Sequence, residues 1–149
     1  MEKSIDIYSI IADDLKLEKK DISGYSPLTL AYLGDAVYEL VIRTKIVSEG
    51  NSQVNKLHHK SAALVKAETQ ARLIKCIMDD LSEEETAVYK RGRNAKSYTS
   101  AKHASISDYR TATGFETLVG YLYMTGQTGR MNELIVLALA KLENEDVNG

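Results

Sequence analysis

The chain has 149 residues, 19 Lys or Arg against 21 Asp or Glu, a net charge of −2, one proline and one cysteine. That length suits one domain whose core needs no disulfide or metal staple, and Cys76 reads as a buried thiol in a reducing compartment. No signal-peptide pattern opens the chain and no apolar run is long enough to cross a membrane, so a cytoplasmic protein is expected, and the near-neutral charge leaves its distribution to decide about nucleic acid.

Residues 4–17 read as a short amphipathic helix with Ile7, Ile10, Ile11 and Leu15 inward. After a loop at 21–25, Ser26-Pro27 has the form of an N-cap followed by proline at the first helical position. The helix it opens runs to about Val47 and stops near Gly50. A third helix is expected over 53–78, with Val54, Leu57, Leu64, Ala71 and Ile74 inward. Ser82-Glu83-Glu84-Glu85 is a capping box opening a helix to about Arg91, and the periodicity is lost over 92–103. Helices follow over 107–125 and 128–142, with a frayed acidic tail at 143–149. No alternating strand pattern and no internal repeat is present. The expectation is an all-α, single-domain bundle of six or seven helices across residues 1–149.

Two helices carry an acid in an apolar setting. Ala31, Asp35, Tyr38 and Ile42 share one face of the second helix, and a carboxylate on such a face is costly unless it meets a cation, a metal or hydrogen-bond donors. Glu116 lies between Ala112 and Gly120 on a stripe of small residues. A crossing of these helices near Gly34 and Gly120 would bring Asp35 and Glu116 together. Mg²⁺ between them would relieve their repulsion, activate water and stabilise charge on a phosphodiester. Spacing alone leaves a structural alternative open, in which Asp35 bonds a buried tyrosine and Glu116 pairs with Arg110 or Lys102. Glu39 is expected to pair with Arg43, four residues on.

The segment 90–103 holds five Lys or Arg and no acid. Arg91, Arg93 and Lys96 suit phosphate, and Asn94 and Ser97 suit ribose hydroxyls; a solvated charged loop is the alternative. Tyr98 would stack or pack. His58 and His59 lack the spacing of a helical zinc pair and read as helix surface, while His103 reads as a loop contact.

Leu33-Gly34-Asp35-Ala36-Val37 and Phe115-Glu116-Thr117-Leu118-Val119-Gly120 resemble the two catalytic helices of the ribonuclease III family. The segments 30–39, 91–97 and 109–116 together resemble one branch of it, the small bacterial Mini-ribonuclease III enzymes. The resemblance spans about residues 26–130. It implies a helical endonuclease acting as a homodimer on double-stranded RNA, with Mg²⁺ (or Mn²⁺ as a substitute) held by Asp35 and Glu116. It also implies 5′-phosphate and 3′-hydroxyl products and a role in trimming the precursor of large-subunit (23S) ribosomal RNA, with the help of a ribosomal protein left open. No appended double-stranded-RNA-binding domain is expected. The larger enzymes carry further acids where this chain has Leu28, Ala31 and Thr113, which leaves a sparse metal site. The alternative from another class is a non-catalytic RNA-binding scaffold on the same fold.

Overall fold

In a computed structural model, residues 6–96 and 105–148 are described, and the regular elements among them are all helical. The α-helices are α1 (Ile7–Asp14), α2 (Pro27–Ser48), α3 (Val54–Val65), α4 (Ala67–Cys76), α5 (Glu83–Arg93), α6 (Ile106–Met124) and α7 (Thr128–Asn148). Short 3₁₀ turns occupy Ile22–Gly24 and Met78–Asp80.

Most helix starts form as their sequences dictate. Ser26 Oγ accepts from Thr29 N–H at 3.2 Å ahead of Pro27. Ser82 and Glu85 close the capping box, each side chain accepting from the other's backbone N–H. The buried Glu85 carboxylate also accepts two 2.9 Å hydrogen bonds from the Arg130 guanidinium, which docks the start of α7 onto α5. That guanidinium holds Glu85 below the ordinary glutamate range.

The central element is α6, packed by α2, α4, α5 and α7. Phe115 meets Tyr38 of α2 edge to face, with ring centroids 5.2 Å apart. The helices α2 and α6 touch backbone to backbone. A Cβ on Gly34 would lie 1.8 Å from the Glu116 carbonyl oxygen, and one on Gly120 would lie 2.0 Å from the Leu30 carbonyl oxygen. The expected small-residue crossing is therefore present. The hydroxyl of Thr117 adds a tie to α2, reaching the Pro27 carbonyl at 3.1 Å.

Several expectations need correction. The single helix over 53–78 is broken at Lys66, which is extended (φ −64°, ψ 152°). Three carbonyls freed by the break are taken by side chains: Ala63 by the Thr69 hydroxyl (2.7 Å), Leu64 by the Tyr38 phenol (2.8 Å) and Val65 by the Gln70 amide (2.7 Å). With no proline or glycine at the break, the helical period alone could not reveal it. Val54, expected inward, is exposed at the start of α3. Gly92 and Arg93, expected in a loop, complete the last turn of α5. The tail continues helically to Asn148, where Arg72 of α4 pairs with Asp146 at 2.7 Å. In α1, Ile7, Ile10, Ile11 and Leu15 are exposed rather than inward. This two-turn helix sits at the edge of the body, where Tyr8 meets Tyr123 edge to face but the described residues leave its apolar face exposed.

The crossing generates a test. Gly34→Ala forces its methyl into backbone that cannot yield, and should cost about 3 kcal/mol or more. Gly129→Ala, whose added Cβ meets nothing within 4 Å, should be neutral or slightly stabilising. Urea-unfolding midpoints of the two variants would separate these outcomes.

Candidate active site

The glycine contact determines which side chains flank it. Glu116 contributes the carbonyl beneath Gly34, and Asp35 follows Gly34 at the rim of the crossing. Their carboxyl groups lie close enough for Asp35 to act on Glu116. Glu116 is partly buried, and burial is the main reason that its carboxyl is pushed up to about 8; the neighbouring Asp35 acts in the same direction. The Gln70 carboxamide on α4 acts on Glu116 in the opposite direction.

Asp35 corrects the reading of α2. Ala31, Tyr38 and Ile42 are buried as expected of their shared face, but Asp35 is exposed. Further along α2 the same arc is covered at Ile46 by α3, whereas at Asp35 it opens to solvent. The desolvation cost that the apolar pattern assigns to Asp35 falls instead on Glu116. Among the described residues, the Tyr38 phenol donates to the Leu64 carbonyl rather than to Asp35, and the side chains acting on Glu116 are Asp35 and Gln70 rather than Arg110. Lys102 lies outside the described residues. Glu39 pairs with Arg43 at 2.9 Å as expected.

No group of three or more His, Cys, Asp or Glu side chains among the described residues could hold a metal ion. The Asp35–Glu116 pair is nonetheless chemically suited to one. It is an all-oxygen donor set in which burial and the neighbouring Asp35 oppose ionisation of Glu116, an opposition that a cation would relieve. A hard divalent ion that takes one or two carboxylates and completes its shell with water and phosphate oxygens fits such a pair. Thr113, in place of an acid, hydrogen-bonds the Tyr109 carbonyl at 2.9 Å, and Ala31 is buried.

The basic end of α5 lies beside this pair. A Cβ on Gly92 would stand 2.3 Å from the Thr117 hydroxyl, so α5 packs on α6 at the level of Glu116. Acids fill the first turn of α5 and Lys90, Arg91 and Arg93 its last, matching the helix dipole at both ends. Arg91 is exposed. The Arg93 guanidinium lies 5.6 Å from the Tyr89 ring centroid, and its Nε donates to Asn94 at 3.3 Å. Arg93 and Asn94 line a polar cleft with Ser107, Arg110 and Thr111. Lys96 is exposed beyond the helix end, and Ser97, Tyr98 and His103 lie outside the described residues. His58 and His59 are exposed on α3, and burial pushes the partly buried Cys76 thiol up, away from nucleophilic use.

Sequence reasoning missed Gln70 and the cleft role of Arg110. A signal existed for Gln70, a polar residue on the same α4 face as Leu73 and Ile74, but its direction depends on the break at Lys66.

Comparison with known proteins agrees with this geometry. Residues 28–127, more than half of the chain, match the Ribonuclease III domain. The chain is 51% identical to Mini-ribonuclease 3 of Clostridium tetani over 131 residues, 87% of each chain. It is 46% identical to Mini-ribonuclease 3 of a Thermoanaerobacter species over 143 residues, covering 96% of this chain and 99% of that one. A crystal structure of a Fusobacterium nucleatum protein superposes with a TM-score of 0.73 at 32% identity, covering 82% of this chain and 98% of that one. With a shared helical architecture and long, near end-to-end alignments, the chain belongs to the ribonuclease III family of endoribonucleases.

Proposed function

We propose that the protein cleaves double-stranded RNA with Asp35 and Glu116 as the catalytic, metal-holding pair. The meeting of these carboxyls beside the basic end of α5 carries the reading. Enzymes of this family act on double-stranded RNA and use divalent metal ions. The ion assigned here is Mg²⁺, with Mn²⁺ as a substitute. When bound, such an ion supplies Lewis acidity for phosphate oxygens and lowers the pKa of water.

The chain's own residues do the rest. Asp35, hydrated at the rim, faces incoming substrate, while Glu116 anchors the pair from α6. Arg91, Arg93 and Lys96 hold backbone phosphates, and Asn94 and Ser97 reach ribose hydroxyls. Attack of water on phosphorus forms one P–O bond and breaks the bond to the 3′ oxygen, which takes a proton, leaving 5′-phosphate and 3′-hydroxyl ends. Within double-stranded RNA, the substrate assigned is the paired stem of the large-subunit (23S) rRNA precursor, following the likeness to the small bacterial enzymes. A homodimer with one site per copy would cut both strands. Leu28 and Tyr32, the latter 84% exposed, present apolar surface on the Asp35 side of α2 and suit a second copy.

Asp35→Asn should sediment as a dimer of the 16.5 kDa chain, bind a duplex stem normally and lose cleavage by at least ~100-fold. Gel analysis of ends on precursor rRNA with Mg²⁺ present checks this, and undiminished cutting would remove Asp35 from the mechanism. EDTA should stop cutting but not binding; binding without cutting in either ion would instead favour an RNA-binding scaffold.

Neutralising Arg91, Arg93 and Lys96 to Gln should weaken duplex affinity and flatten its salt dependence by up to about three charges' worth. An unchanged slope in filter-binding assays would place the duplex on another surface.

The acid pair also sets a pH dependence. Glu116, at about 8 in the fold against 4.5 for an ordinary glutamate, binds its proton more tightly folded than unfolded. Stability it contributes below about pH 4.5 is therefore lost as pH rises through about 8. In EDTA the melting temperature should fall between about pH 5 and about pH 8, millimolar Mg²⁺ should restore it at the upper end, and Glu116→Gln should flatten the profile. A wild-type profile without that slope would contradict the assignment.

A further inference from the structure

Three of the six arginines are paired with carboxylates: Arg43 with Glu39, Arg72 with Asp146 and Arg130 with Glu85. The other three, Arg91, Arg93 and Arg110, form no ion pair among the described residues. Residues 97–104 hold no Asp or Glu that could neutralise them. Arg93 of α5 and Arg110 of α6 line one cleft of about 300 Å³, together with Asn94, Ser107 and the buried Thr111. The scheme above uses Arg93 but gives Arg110 no task.

The packing of α5 on α6 makes this cleft. Gly114 and Thr117 follow Arg110 at four and seven residues, the spacing of one helix face. A Cβ on Gly114 would stand 2.7 Å from the Tyr89 ring, and one on Gly92 would stand 2.3 Å from the Thr117 hydroxyl, so this face meets α5. Arg110 extends the face by one turn toward the start of α6, where it shares the cleft with the last residues of α5. Asp108 lies two residues before Arg110, a spacing that puts the two on different faces of the helix. Arg93 is held from behind. Its Nε donates to Asn94 at 3.3 Å and its guanidinium lies 5.6 Å from the Tyr89 ring centroid, which leaves its two terminal nitrogens without a partner among the described residues. Two guanidiniums lining one cleft repel each other, and a bound anion relieves both. Each can grip phosphate oxygens through parallel N–H bonds. Glu116 lies six residues beyond Arg110, about 9 Å along the helix axis. A duplex strand covers that rise in roughly three nucleotides.

We infer that Arg110 is a positioning residue for RNA cleavage: with Arg93 on the facing helix it clamps one backbone phosphate a few nucleotides from the scissile bond, and so sets the register of the cut. The inference rests on the reading of Asp35 and Glu116 as the catalytic pair and of the end of α5 as the RNA surface. Arg110 is exposed and has no partner in the fold to lose, so its task is one that appears only with substrate.

The test uses the full chain and an end-labelled RNA duplex of fixed sequence. Binding is measured in EDTA over a range of salt, and cut positions and turnover are measured with Mg²⁺. Arg110→Gln should keep the wild-type melting temperature, bind about ten-fold more weakly and flatten the salt dependence by about one charge. It should also spread the cut over neighbouring positions and lower turnover at saturating duplex. Arg110→Lys, which keeps the charge but not the planar fork, should keep the salt slope and still spread the cut. A single wild-type cut position in Arg110→Gln would overturn the inference even if binding weakens, because loss of charge alone does not move the cut. Arg93→Gln, Arg110→Gln and their double variant test the clamp. On one shared phosphate the double variant should bind little more weakly than either single; losses that multiply would assign separate phosphates and overturn the clamp. The underlying reading fails differently. An unchanged salt slope on neutralising Arg91, Arg93 and Lys96 removes the RNA surface, and undiminished cutting by Asp35→Asn removes the catalytic pair. Normal losses in those two variants beside wild-type behaviour in Arg110→Gln remove Arg110 alone.

Discussion

The rest of the molecule depends on the contact of two helix backbones at Gly34 and Gly120. A side chain at either position would overlap a main-chain oxygen of the opposite helix, so the approach is possible only with glycine at both. Backbones this close leave little room between the axes, and the residues flanking the contact are pressed into one another's reach. Asp35 and Glu116 are such residues. The helix that carries Glu116 is clamped by α2, α4, α5 and α7, so its position is determined by the whole core rather than by a loop.

The two acids are not equivalent. Asp35 stands at the open rim and keeps its hydration, whereas Glu116 is partly withdrawn into the protein and bears most of the cost of burial. Solvent reaches Asp35, and the Arg91–Arg93 end of α5 packs on α6 at the level of Glu116. The same helix is anchored at its acidic end, where Glu85 serves its own capping box and accepts the Arg130 guanidinium. Charge segregated along one helix thus performs two tasks, docking α7 at one end and leaving cations beside the acids at the other.

Much of this was legible because it is local or periodic. Ser26-Pro27 and Ser82 to Glu85 specify helix starts through hydrogen bonds made within four residues, and those starts occur where their sequences place them. Gly34 and Gly120 beside the acids were legible as a crossing because a stripe of small residues on an apolar helix has few other uses. The resemblance of three segments in order supplied the family, which composition alone does not. The errors share a cause as well. Apolar spacing in α1 shows which residues would face a partner, not whether one chain supplies it, and Ile7, Ile10 and Ile11 are exposed here. The tail beyond Leu142 is helical where Arg72, distant in sequence, pairs with Asp146.

The sequence by itself determined an all-helical chain, its principal caps, the glycine pair and the identity of the two acids. These follow from backbone sterics and neighbouring hydrogen bonds. Only the tertiary structure decided which acid bears the burial, that α3 and α4 are separate helices, and that Gln70 caps the end of α3. The break at Lys66 has no local breaker, and the Leu64 carbonyl it exposes is capped by Tyr38 from α2. A helix ended by a partner 26 residues away leaves no mark in its own periodicity. The environment of the Glu116 carboxyl exists only once those helices have packed.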